Sequence, residues 1–378
     1  MKKIVLYIAI LGGLAIGGMV LMRTQASDKP DNQSFKITTI AQGLEYPWGM
    51  AFLPDGRFLV SEREGRLRLV GDDGLDDEPI TGLPDNMYIE GQGGLLDVVV
   101  HPDFEQNKLV YFSYAGSDEG GAGTEVARAN LHDKKLENLE VIFRADPKTD
   151  GQNHYGSRLL FAPDGTLFIT LGDRYAFMKE AQNRGNHLGT IIRINDDGSF
   201  PLDNPFFGNL NHKPEIYAYG VRNAQGIALR PSDNSIWYHE HGPRGGDELN
   251  ILKAGSNYGW PEITYGIDYS GAVISDKTDA PGMEQPVVFW DPSIAPSGMD
   301  FYDGDQFPAW KGDIFLGALA HRHLRRLKLE GNVVIEQEVL LQDLGERVRD
   351  VKSGPDGFLY ILTDSHDGKI LRLEPVSK

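Results

Sequence analysis

Residues 161–174 read FAPDGTLFITLGDR, a turn spelled in four letters followed by a run of strand formers. Proline fixes φ at one corner of the turn, and Asp-Gly tolerates the tight reversal. The run that follows alternates as a half-buried strand does. The same phrase opens at Phe52 as FLPDGRFLVSEREGRLRLV and at Ser353 as SGPDGFLYILTDSHDGKILRL. Looser forms begin at Val100 (VHPDFEQNKLVYFSYA), Leu229 (LRPSDNSIWYHEHGP) and Tyr302 (YDGDQFPAWKGDIFLGAL). Six copies at intervals of roughly 50–75 residues fit four-stranded blades with insertions. The expected fold is therefore all-β, a six-bladed β-propeller with four-stranded antiparallel blades, spanning residues 35–378. The strand SFKITTIA (34–41) precedes the first phrase and KILRLEP (369–375) ends the last, so both are expected in one blade, closing the ring.

Composition narrows the functional classes. The net charge of −18 argues against a nucleic-acid or anionic-membrane partner, and requires any site for an anion to gather its cations locally. With no cysteine, disulfides, thiolate metal sites and cysteine nucleophiles are excluded. Residues 1–27 hold two lysines, an apolar run from Ile4 to Met22, and a small-residue stretch near Ala26. This reads as a signal peptide or an N-terminal membrane anchor, with a polar linker at 28–34, and implies an exported, periplasmic protein.

Several loop residues are not explained by strand alternation. Gln92 is flanked by glycines that let a backbone approach a ligand, and His154 precedes a strand. Arg222 and Asn223 set a cation and an amide between two apolar stretches. Arg347 and Arg349 share one strand face, where like charges repel unless an anion bridges them. Gly242-Pro243 can turn carbonyl oxygens outward, and Asp247 and Glu248 add hard carboxylates, which is calcium-type chemistry. Taken singly, each also reads as a solvated turn, an exposed strand face or a cap.

Together the loops resemble a known family. GQGGLL, NHYGSRLLFAPDG, YGVRNAQGIA, EHGPRGGDELN, NYGWP, PSIAPSGM and RVRDVKSGPDGFLYILTD occur in this order from about residue 90 onward. They are similar to the soluble pyrroloquinoline quinone (PQQ)-dependent aldose sugar dehydrogenases. The resemblance implies PQQ and calcium (Ca2+) on one face of the propeller, and oxidation of aldose sugars at C1 to lactones. It assigns His154 as the general base and Arg222 as the group that stabilises charge on the quinone. It assigns Gln92, Arg222, Asn223, Tyr269, Arg347, Val348 and Arg349 to the cofactor. Gly242 and Pro243 become carbonyl donors for the calcium that holds PQQ, and Glu248, with the backbone at Tyr258, resembles a second calcium site. The electron acceptor is open, and the protein is expected as a monomer or homodimer, touching a membrane only through its N-terminal segment.

One departure stands out. Relatives carry a lysine in the loop after GAL, where this chain has Ala320, followed by His321 and Arg322. The stretch is expected at the cofactor, with Arg322 replacing the missing cation. Two other readings compete: a calcium-dependent propeller lactonase, which has no need of Arg222, Arg347 and Arg349 together, and a non-catalytic binding propeller. No G-x-G-x-x-G joins a strand to a helix, so a nicotinamide cofactor is not expected.

Overall fold

Each Pro-Asp-Gly phrase closes in the same way. Leu53 N–H donates to Arg57 O at 2.8 Å and Gly56 N–H to Leu53 O at 3.0 Å. Ala162 and Gly165 repeat the pair at 2.8 and 3.0 Å, and Gly354 and Gly357 at 2.8 and 2.9 Å. The aspartate of each turn accepts the N–H two residues on, from Arg57, Thr166 or Phe358. Gly56, Gly165 and Gly357 all take φ between +80° and +89°, which a side chain would resist. The turn chemistry read from the sequence is thus the turn chemistry of the fold.

The computed structural model describes residues 34–376. They form six four-stranded antiparallel sheets, the blades of a six-bladed β-propeller. Blades 1 to 5 span 47–75, 95–144, 159–219, 224–290 and 296–340. Blade 6 joins residues 348–375 to the N-terminal strand Phe35–Leu44, which pairs antiparallel with Gly368–Pro375. The ring closes as expected, leaving no open sheet edge between the first and last blades. Helix is confined, among the described residues, to Phe104–Asn107 and three 3₁₀ turns. The apolar run at 4–22 lies outside the described residues.

The first strands of neighbouring blades pack against one another around the axis. Each is the edge strand of its own sheet, so its outward N–H and C=O groups need partners. Side chains of neighbouring blades provide them. The carboxylates of Asp97, Asp300 and Asp350 accept N–H groups of Leu159, Ser353 and Met50. Ser61, Ser113, Thr170 and His239 each donate to a carbonyl of the next blade. Gly298 leaves room for this stitching, since a Cβ there would sit 1.7 Å from Asp350 Oδ1. Apolar side chains fill the space between blades, as Trp237, Trp290, Met299 and Ile314 do between blades 4 and 5. Each such burial contributes about 1.5–3 kcal/mol.

Antiparallel blades divide their connections between two ends of the ring. The phrase turns, joining first strand to second, lie at one end. The second-to-third connections and the crossings between blades lie at the other. Gln92, His154, Arg222, Asn223, Gly242, Ala320, Arg322 and Arg347 all fall in connections of that second end.

Candidate active site

The second end holds a cavity of about 280 Å³ beneath its loops, lined among others by Gln92, Asn223, Ala320, Arg347 and Arg349. Five expected site residues, four from different connections and Arg349 from the first strand of blade 6, therefore share one space. Trp48 and Arg63, which sequence reading passed over, line it as well.

His154 sits beside this cavity, next to the lining residues Tyr155 and Gly156. It is buried, with a positive φ of 56°. Such a backbone stores strain of order 1–3 kcal/mol and persists only where surroundings hold it. Here they do: His154 N–H donates to Gln92 Oε1 at 2.8 Å, and Nδ1 donates to Asp173 Oδ1 at 2.6 Å. Gly172 packs so closely that a Cβ would lie 2.3 Å from the His154 carbonyl oxygen. With Nδ1 committed to Asp173, Nε2 has no partner among the described residues and can accept a proton. Burial pushes the His154 pKa down, with Arg222 and Arg174 adding to that and Asp173 opposing it. The ring is held as the neutral imidazole that a base requires.

Asp173 is the hub of the cluster. Its Oδ1 also accepts Tyr175 N–H, and its Oδ2 accepts Trp260 Nε1–H at 2.7 Å. Trp260 lies in turn under the Arg222 guanidinium, whose Cζ is 5.3 Å from the ring centroid. Neither Asp173 nor Trp260 was singled out in the sequence. For Asp173 a signal existed. Eight to ten residues after the turn prolines Pro54, Pro163, Pro231 and Pro355 stands an acid at the end of the second strand or within three residues of it: Glu62, Asp173, Glu240 and Asp364. All four accept hydrogen bonds from an arginine or histidine at this end of the ring. Trp260 has no comparable signal.

Arg222 is buried and turned away from the larger cavity. Its N–H donates to Glu240 Oε2, and Nη1 donates to His241 O at 3.1 Å and Gly242 O at 2.6 Å. It lines a second, small cavity of about 10 Å³, shared with Glu240, Gly242, Glu248, Tyr258 and Thr264. That is room for one water-sized body. Burial raises both Glu240 and Glu248, Glu248 to about 7, and the Glu248 charge raises Glu240 further. Two carboxylates facing one polar void are the donor chemistry of a hard cation. Asp247 is not available to it: its carboxylate already accepts from Gly242, Ser293, Ile294 and Ala295. Among the described residues no group of three His, Asp or Glu could hold a metal, so a cation here draws on Glu240, Glu248 and backbone oxygens.

Arg347 Nε and Arg349 Nη2 both donate to Asp364 Oδ2 at 2.9 Å. One carboxylate is thus shared by two guanidinium groups, and the wall keeps excess positive charge. Val348 between them is buried and packs into the blade core. Tyr269 stands on a turn, 60 % exposed, and lines neither cavity. His321 and Arg322 are exposed, and Arg322 Nη1 donates to Gly345 O at 3.1 Å, outside the cavity that Ala320 lines.

Comparison with known proteins fits this geometry. A family model described as Glucose / Sorbosone dehydrogenase matches residues 44–372. Aldose sugar dehydrogenase YliI of Escherichia coli (strain K12) is 43 % identical over 346 residues, covering 90 % of this chain and 92 % of that protein. A crystal structure of a glucose dehydrogenase superposes with a TM-score of 0.87 at 49 % identity, covering 89 % of this chain and 99 % of that one. The PQQ-bound aldose sugar dehydrogenase of Streptomyces coelicolor superposes with a TM-score of 0.76 at 28 % identity, over 92 % of this chain and 99 % of that one. The chain belongs to the glucose/sorbosone dehydrogenase family.

Proposed function

We propose that this sugar dehydrogenase oxidises aldoses at C1 to lactones, with PQQ in the 280 Å³ cavity as hydride acceptor and calcium as an aid. One observation carries the reading: a buried neutral histidine, held through Nδ1 by a carboxylate, adjoins a cavity whose arginines outnumber their acidic partners. Bound there, PQQ would supply an ortho-quinone that accepts hydride and three carboxylates that call for cations. Arg347 and Arg349 suit those carboxylates, because a planar fork matches a carboxylate and Asp364 neutralises only one of the two. Gln92 and Asn223 offer side-chain amides on the same walls.

His154 takes the proton of the C1 hydroxyl at Nε2 as the hydride leaves, a contribution of about 10²–10⁴-fold. Asp173 holds the imidazole in the tautomer and orientation this needs. Arg222, which now donates to the His241 and Gly242 carbonyls, would have to turn toward the 280 Å³ cavity to stabilise negative charge as it develops there. The carbonyls of Gly242 and Pro243 are the proposed donors for the calcium beside PQQ, and Glu248 with the backbone of Tyr258 those of a second calcium, to which Glu240 is added because it lines the same small cavity. A divalent cation held by Glu240 and Glu248 would relieve their mutual repulsion, whereas one held at Gly242 and Pro243 would supply Lewis-acid polarisation to the cofactor. Because Arg222 now donates to Gly242 O, a cation at that carbonyl shares it with the guanidinium or displaces it. The N-terminal apolar run is taken as an export signal or anchor, which places the reaction in the periplasm.

Reconstitution tests the reading. Purified protein given PQQ and calcium should reduce an artificial dye with aldoses, lose activity with a chelator, and ignore NAD. PQQ bound without dye reduction across a panel of aldoses contradicts it.

A further inference from the structure

The missing lysine at position 320 leaves a deficit of positive charge that the expected substitute does not fill, since Arg322 points to Gly345 outside the cavity. Another cation is already inside. Arg63, in the turn after the strand Phe58–Glu62, lines the cavity from blade 1. Blade 6, with Arg347 and Arg349, lies between Arg63 and the blade 5 loop of Ala320. Arg63 and position 320 therefore flank the two paired arginines from opposite sides.

The surroundings of Arg63 fix its place. Its N–H donates to Tyr46 O at 3.1 Å, and its carbonyl accepts Leu95 N–H at 3.3 Å. Gly94, at φ +128°, crosses so near that a Cβ would lie 1.8 Å from Arg63 O. The guanidinium rests over Tyr46, with Cζ 5.1 Å from the ring centroid. An aromatic face attracts a cation by about 0.5–1 kcal/mol at an exposed site, enough to orient it but not to neutralise it. Other arginines of this blade behave differently. Arg66 and Arg68 both bind Glu62, and Arg66 binds Glu45 as well. Among the described residues Arg63 forms no ion pair and donates no side-chain hydrogen bond. Of the three arginines that line this cavity, Arg63 alone has no carboxylate partner, and in a chain of net charge −18 a bound anion would supply one.

We propose that Arg63 is a further cofactor-binding residue, which takes one carboxylate of PQQ from the blade 1 side and supplies the cation absent at Ala320. The inference rests on the PQQ reading above. It concerns binding, not the chemical step.

Equilibrium dialysis of PQQ, with calcium, against the ligand-free protein tests it. Arg63→Ala should weaken PQQ binding roughly 10- to 100-fold, the scale of a charge-assisted hydrogen bond. Wild type should lose affinity with added salt more steeply than Arg63→Ala does, because one fewer ion contact is screened. Arg63→Lys should bind better than Arg63→Ala, and adding Ala320→Lys to Arg63→Ala should restore much of the loss. Unchanged circular dichroism and Tm establish that the variants are folded. Arg63→Ala binding PQQ as wild type does, or Arg63→Lys binding no better than Arg63→Ala, overturns the inference while leaving PQQ binding intact. A double variant as weak as Arg63→Ala overturns the compensation for position 320. Wild type failing to bind PQQ at all brings down the proposed function, and this inference with it.

Discussion

The two ends of this propeller are built from the same strands and obey different rules. At the phrase end, Pro-Asp-Gly turns repeat with the same hydrogen bonds at 2.8–3.0 Å in blades 1, 3 and 6, and each aspartate is satisfied within its own turn. At the site end, polar groups are satisfied across blades: Gln92 holds His154, Asp173 holds His154 and Trp260, and Glu240 holds Arg222. Local closure makes the first end repetitive and tolerant. Cross-blade closure makes the second end specific, and it concentrates buried charge and unusual φ angles where a ligand is expected.

That contrast can be broken most directly at His154. His154→Ala should lower kcat by about 10²–10⁴-fold while leaving the Kd for PQQ nearly unchanged. Retained turnover within a few-fold would assign the base elsewhere. The pH profile sharpens the point. Because burial and the nearby arginines depress the His154 pKa, the neutral base persists below the usual value near 6.5. The acid limb of kcat/KM should therefore lie below that value. Asp173 opposes the depression, so Asp173→Asn should move the limb still lower and reduce kcat, since the amide no longer fixes the proton on Nδ1. A limb that moves upward contradicts the assignment.

The same small substitution should behave differently at the two ends. Gly172→Ala places a methyl against the His154 carbonyl. A displacement of the base by about 1 Å can cost on the order of 10²-fold in rate. At the phrase end, Gly56 has positive φ but open space around its Cβ position. Gly56→Ala should cost about 1–2 kcal/mol of stability from backbone strain alone and leave kcat/KM unchanged. Thermal melts and steady-state kinetics on both variants separate the cases. Equal effects on activity would erase the distinction between the ends.

The distinction also explains what could be read from the sequence. Turn residues act on their own neighbours, so FAPDGTLFITLGDR announces a turn and a strand without knowledge of the rest. Its recurrence was enough to set blade number and ring closure. The candidate site was legible only as an ordered set of loop motifs. His154 alone is an ordinary loop histidine, and its meaning comes from Asp173 on the next strand connection and Gln92 on another blade. Arg63 is a turn arginine in the sequence and a cavity wall in the fold. Arg322 looked adjacent to the gap at Ala320, but a local φ of +52° carries its side chain to Gly345 instead. Sequence distance is a poor guide where the partners come from different blades.

The central claim is that the site end removes hydride from C1 of an aldose. Rapid anaerobic mixing of the PQQ- and calcium-loaded protein with an aldose, followed by cofactor absorbance in a single turnover, tests it without any electron acceptor. A sugar deuterated at C1 should reduce the bound cofactor more slowly than the protiated sugar, and the product should be the lactone. Equal rates for the two sugars, or no spectral change with PQQ shown to be bound, would contradict the account.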